Sequence, residues 1–271
     1  MLNKKKLLAL ACMGICMELP AYAEEGPFSA NPFSANVSLT SNYLYRGISQ
    51  TGGKPALQGG FDYAHSSGFY VGAWGSSISW IGDQQVQVNG VNQPLATNAG
   101  LELDTYLGFK NSFATDFNYD VGFLRYNYPG TYVSPMPAGL AKADTNEVYG
   151  LIGWKWVSLK YSYSLGNTFT VPGARGTNNV DLSANYPVED TGITLGAHYG
   201  KQTFKGATSD ALAAAGTNPT YSDYRLSVSK DLGSGFSTSL TYSKTNASAF
   251  YTVNGKELGK GTGLLALNRA F

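Results

Sequence analysis

Along residues 36–47, NVSLTSNYLYRG, apolar and polar side chains take turns. Val37, Leu39, Tyr43 and Tyr45 share one parity, with Ser41 between them. Asn36, Ser38, Thr40, Asn42 and Arg46 share the other, interrupted by Leu44. A period of two belongs to a strand with one apolar and one polar face. The pattern returns in about twelve segments: 35–46, 56–65, 68–78, 101–110, 116–128, 146–155, 157–165, 179–187, 191–200, 221–230, 235–244 and 262–271. In the fourth, Leu101, Leu103, Leu107 and Phe109 oppose Glu102, Asp104, Tyr106 and Lys110. In the seventh, Val157, Leu159, Tyr161, Tyr163 and Leu165 oppose Ser158, Lys160, Ser162 and Ser164. The third, GFYVGAWGSSIS, carries aromatics on both parities. Arg125 falls on the apolar parity of the fifth, which predicts a bulge or a position beyond the apolar zone. A helical pattern shows only in DALAAAG, residues 210–216.

Connections between these segments alternate in length. Those after the even-numbered segments are tight; those after the odd-numbered ones are mostly long, notably 79–100, 129–145, 201–220 and 245–261. A soluble sandwich gives loop length no reason to follow strand parity. An antiparallel up-and-down barrel in an outer membrane does, with short turns facing the periplasm and long loops facing out. The expected fold is therefore all-β, a single transmembrane barrel of about twelve strands over 35–271 with both termini periplasmic. Its apolar parity faces lipid. Two interfacial aromatic belts are expected: Tyr43, Tyr45, Tyr161, Tyr163, Tyr199, Tyr224 and Tyr242 at the outer end, and Tyr63, Phe69, Phe109, Phe117, Trp154, Tyr186 and Phe236 at the inner.

The beginning of the chain fits export. Lys4, Lys5 and Lys6 precede an apolar run too short to cross a bilayer, followed by AYA at 21–23. This predicts a signal peptide over 1–23, cleaved after Ala23, and a short periplasmic segment over 24–34. Cleavage removes both cysteines, Cys12 and Cys16, and with them any disulfide, thiolate metal site or cysteine nucleophile. The mature chain has sixteen basic and seventeen acidic residues, a balance that gives no case for nucleic-acid binding. No nucleotide fingerprint or metal-ligand cluster appears, so no cofactor is expected. The chain closes on LLALNRAF, where Phe271, Leu267 and Leu265 share a face interrupted by Arg269. This resembles the last-strand signal read by outer-membrane assembly machinery.

The polar parity then faces the lumen. It carries Asp62, Glu102, Asp104, Asp120, Glu147, Asp181 and Asp223 against Arg46, Lys110, Lys160, His198 and Arg225. Charged rings at a constriction select what passes, and the register puts Glu102, Asp104 and Glu147 near the outer mouth, opposed by Arg46. The other reading is that these charges pair and fill the interior. Twelve strands lie between small filled barrels and wide 16–18-stranded porins, so a narrow passage for small polar solutes or ions is expected. A non-conducting barrel that displays adhesive loops is the alternative. Lipid hydrolysis on such a barrel needs a Ser/His pair facing lipid; His65 sits at a predicted turn and His198 points inward, so no catalytic residue is assigned.

The wording SNYLYRGISQT, GFYVGAW, LELDTYLGF, YNYPG, NEVYGLIGWKW, LGAHYGK and YSDYRLSVSKDLG resembles the TorF-like porins of proteobacteria over nearly all of 34–271. The resemblance implies an outer-membrane barrel with a channel role and carries over no substrate or catalytic residue.

Overall fold

The computed structural model describes residues 31–271. The expected signal peptide and the cleavage after Ala23 lie outside the described residues. Twelve strands form one closed antiparallel barrel, the architecture that the alternation predicts. They are β1 (Phe33–Thr40), β2 (Ala56–Ala64), β3 (Phe69–Ser77), β4 (Leu101–Phe113), β5 (Phe117–Asn127) and β6 (Thr145–Trp154), then β7 (Val157–Ser164), β8 (Asn178–Val188), β9 (Ile193–Thr203), β10 (Tyr221–Gly233), β11 (Phe236–Thr245) and β12 (Thr262–Ala270). Each pairs with its sequence neighbours, and β1 closes on β12 from Asn36 opposite Ala270 to Thr40 opposite Ala266. Strands of 8 to 13 residues match the roughly 9–11 that a tilted strand needs to cross hydrocarbon.

The alternation sorts inside from outside. On β4, Glu102 and Asp104 are fully buried, while Leu101, Leu103 and Leu107 are exposed. Leu39 is 56% exposed, Leu159 46% and Leu240 63%, with Val71, Val121, Ile152 and Leu195 in the same state on other strands. In water, an apolar belt around the whole perimeter would far exceed the few hundred Å² that a soluble protein tolerates. This surface suits hydrocarbon. Of the expected belt residues, Phe69, Phe117, Trp154, Tyr161, Tyr186, Tyr199, Tyr242 and Phe271 are exposed, and Tyr63 and Tyr163 are half-buried.

Tyr43 and Tyr45 are the correction. They are 1% and 8% exposed and lie inside the barrel. β1 ends at Thr40, and Ser41 is the last residue held to the wall, its N–H donating to Leu265 O at 2.9 Å. Thr40 Oγ1 donates to Asn42 O at 2.8 Å and turns the chain inward, so the apparent alternation of 42–46 no longer follows the wall. Leu44, which broke the polar parity, is buried beside them.

Arg125 causes no bulge, since β5 keeps its register with both neighbours. It points outward near the long-loop end, where its Nε donates to Asn127 Oδ1 at 2.6 Å and Asp144 lies 3.6 Å away. The register slips only between Asp231 and Gly233, at the turn into β11. The first five residues of DALAAAG, 210–214, belong to a helix, Ala207–Ala214, that stands largely exposed in the loop between β9 and β10.

A cation placed on the lipid face should be costly. Leu159→Arg should lower stability by about 2–4 kcal/mol in bilayers, read from reversible denaturant unfolding. An unchanged midpoint would contradict the outward assignment.

Candidate functional site

The first long loop folds back as a small hairpin inside the barrel. Leu44 pairs with Ser49 and Tyr45 with Ile48, around a two-residue turn at Arg46 and Gly47. Both turn residues have positive φ, 46° and 78°, as the tightest hairpin turns require. Gly47 is also needed for space. A Cβ there would lie 2.6 Å from Thr245 Cγ2 and 2.8 Å from Asp223 Cβ. The loop is held at its base by Gln50 N–H donating to Tyr43 O at 2.8 Å and by Ser49 Oγ donating to Asn42 Oδ1 at 2.6 Å. Ser49 N–H donates to Leu258 O at 2.9 Å, tying the hairpin to the last long loop.

The hairpin reaches across the lumen. At its tip, Arg46 meets Glu147 on β6 with two parallel bonds, Nη1 to Oε1 at 3.1 Å and Nη2 to Oε2 at 2.8 Å. Nη1 also donates to Gln202 Oε1 on β9 at 2.6 Å. Such a fork fixes both distance and orientation. Burial works against the Arg46 charge, but Glu147, Tyr45 and Tyr126 together outweigh that cost and hold the guanidinium protonated. Tyr45 Oη lies 2.8 Å from Tyr126 Oη, and Tyr126 donates to Glu147 Oε2 at 3.2 Å. Burial raises the Tyr45 hydroxyl well above the usual tyrosine range. Tyr43 and Tyr128 both donate to Glu102 Oε1, at 3.3 and 3.2 Å.

Further down, three tyrosines lie flat against the wall over glycines of the adjoining strand. Tyr106 covers Gly72, Tyr70 covers Gly108 and Tyr149 covers Gly122. At each glycine a Cβ would come to 2.4 Å from the ring or hydroxyl above it. Tyr106 donates to Asp62 Oδ1 and Tyr70 to Asp120 Oδ1, both at 2.6 Å; Tyr70 also touches the Tyr149 hydroxyl. Lys110 stands over the Tyr70 ring and Lys160 over that of Tyr149, at 4.8 and 4.3 Å. On the far wall, His198 sits between two carboxylates, Nδ1 3.2 Å from Asp181 and Nε2 2.8 Å from Asp223. Arg225 faces His198 across the β9–β10 pair.

The twelve charged positions singled out in the sequence thus fall inside the barrel in three groups. Arg46 joins Glu147, with Glu102 and Asp104 beside the same hairpin. Asp62, Lys110, Asp120 and Lys160 surround the flat tyrosines, and Asp181, His198, Asp223 and Arg225 form the third group. Sequence reasoning missed Tyr126, Tyr128 and Gln202, the wall residues that receive the hairpin. Tyr106 and Tyr149 carried a legible signal, since both sit on the polar parity.

Ser183, His198 and Asp223 are adjacent. Ser183 Oγ donates to Asp181 Oδ1 at 2.7 Å and lies 3.1 Å from His198 Nδ1, while His198 Nε2 lies 2.8 Å from Asp223 Oδ1. Among the described residues no cluster of metal ligands occurs.

A sequence family matches residues 24–271, which covers the whole barrel. The chain belongs to the Gcw_chp family, described as bacterial proteins of unknown function. No protein of curated function matches this Gcw_chp chain in sequence. Among solved structures it is similar to the KdgM porin in complex with disordered oligogalacturonate, at 9% identity and TM-score 0.48, over 88% of this chain and 98% of that one. The NanC porin is similar at 7% identity and TM-score 0.48, with 88% and 98% covered. OprD of Pseudomonas aeruginosa is similar at 12% identity and TM-score 0.38, with 80% and 59% covered.

The fork at the hairpin tip gives a direct test. Arg46→Ala leaves Glu147 buried without its cation, a change worth about 3 kcal/mol. Hydrogen exchange in 42–51 should then accelerate by about a hundredfold, and Arg46→Ala with Glu147→Gln should recover part of that loss. Exchange confined to other segments would show that the ion pair does not hold the hairpin.

Proposed function

We propose that this protein is a narrow outer-membrane channel for small polar solutes or ions, its aperture set by the hairpin Leu44–Ser49. The observation that carries the reading is the combination of an apolar perimeter, a polar lumen and an inserted loop tied to the opposite wall. A closed barrel is the one sheet that leaves no unpaired edge in hydrocarbon. Twelve strands, with the lumen further narrowed by the hairpin and the flat tyrosines, make a selective passage rather than a wide sieve. The resemblance of SNYLYRGISQT to the TorF-like porins points the same way, since that stretch contains the hairpin.

In this reading residues 1–23 export the chain and leave after Ala23. The short turns and both ends of the barrel face the periplasm, and the strand ending at Phe271 is read by the assembly machinery. Outer-membrane lipid covers the perimeter. The lumen charges act as a mixed-sign lining. Because Arg46 neutralises Glu147, the acidic character of the mouth rests on Glu102 and Asp104. The depth at which the hairpin is buried also favours a second reading, a barrel held shut that displays its loops.

Purified protein in planar bilayers separates the two. The channel reading expects small, regular conductance steps that grow by about twofold or more in Arg46→Ala. Glu102→Gln with Asp104→Asn should reduce cation preference. Repeated insertions without current, in the wild type and in Arg46→Ala alike, would favour the shut barrel.

A further inference from the structure

Above the hairpin, the long loops enclose a cavity of about 340 Å³. We infer that this cavity is a binding site for a neutral polyhydroxylated solute of mono- to disaccharide size. The inference deepens the channel reading, on which the role of the site as an entrance rests.

Three properties of the wall carry it. The first is charge. Among the described residues that line the cavity, none is Asp, Glu, Lys, Arg or His. This is unusual for a barrel whose lumen is crowded with ions just below. An anionic or cationic solute would give up its hydration there without a counter-charge. The second is the pairing of ring faces with carboxamides. Trp80, Phe169, Tyr221, Phe250 and Tyr251 contribute aromatic surface, and Gln50, Gln84 and Gln85 contribute donors and acceptors on one side chain. Flat apolar surface matched by neutral two-way hydrogen-bonding groups suits a sugar ring, which has C–H faces and a hydroxyl perimeter.

The third property is size. The volume lies at the low end of ligand pockets, roughly 300–1,000 Å³, which fits one or two sugar rings rather than a longer chain.

The floor of the cavity is the hairpin itself, through Tyr45, Ile48, Ser49 and Gln50. Gln202 connects cavity and fork, because it lines the one while its Oε1 accepts from Arg46 in the other. A solute seated there would rest on the element that narrows the lumen.

Calorimetric titration of the folded barrel in detergent micelles tests this without requiring conduction. Maltose is the neutral probe; galacturonate and glucosamine are its charged counterparts. Maltose should bind with a Kd of about 1 mM, and the charged sugars at least about tenfold more weakly. Trp80→Ala and Phe250→Ala, both in loops, should each weaken maltose by about tenfold; heat-modifiable gel mobility verifies that each variant is folded. The inference is overturned if maltose gives no heat of binding at about 100 mM, if either charged sugar binds as tightly, or if both folded variants bind like the wild type. Binding without bilayer current supports the site and retires the channel. Current without binding retires the site and leaves the channel.

Discussion

Closure of the sheet is the constraint on which the rest depends. Once the apolar parity faces hydrocarbon, no backbone N–H or C=O on the perimeter can turn to water, and each one left unpaired costs several kcal/mol. The seam between β1 and β12 removes the last free edges. That seam also confines everything on the polar parity. Charges enclosed by a closed wall must find partners across the lumen or along it, and here they do so in separate groups, Arg46 with Glu147 and His198 with Asp181 and Asp223.

The hairpin is the point where the enclosed charges acquire a mechanical role. Arg46 is delivered by a loop rather than by a barrel strand, so the ion pair determines where a piece of chain outside the wall rests. Two features make that position specific. The fork matches a planar guanidinium to a planar carboxylate, and Gly47 lets the tip approach Thr245 and Asp223 closer than any side chain would permit. The aromatic rings of Tyr43 and Tyr45 then bring apolar bulk into a polar interior and share it with Trp74, Tyr126 and Phe169. The long-loop end of the barrel therefore holds a small hydrophobic core within a hydrophilic tube.

The barrel was legible because it obeys a rule of period two that is enforced separately in each strand, and because loop length follows strand parity. Eleven of the twelve strands fall where the alternation puts them, to within three residues at their ends, and the first stops at Thr40 instead of running on to 46. The hairpin was not legible from the same rule. NYLY keeps up the rhythm of β1 after the chain has left the wall, so parity alone sends Tyr43 and Tyr45 the wrong way. What marks the departure is Arg-Gly, a dipeptide whose turn needs two left-handed residues. The Asn-Gly pairs at 89–90 and 254–255 announce the same kind of turn more openly, and each closes a loop hairpin. Gln202 could not be read in advance: a neutral amide near the end of a strand gives no sign that a guanidinium will meet it from another part of the chain.

The glycines beneath Tyr70, Tyr106 and Tyr149 make the tube lopsided. Strands β3 to β6 are upholstered from within by three rings, whereas β8 to β11 present mostly short hydroxyl and amide groups such as Asn179, Ser183, Ser229, Ser239 and Thr241. The two flanks of the interior therefore differ in kind, ring faces and the ammonium groups of Lys110 and Lys160 on one, small polar groups around His198 and Arg225 on the other.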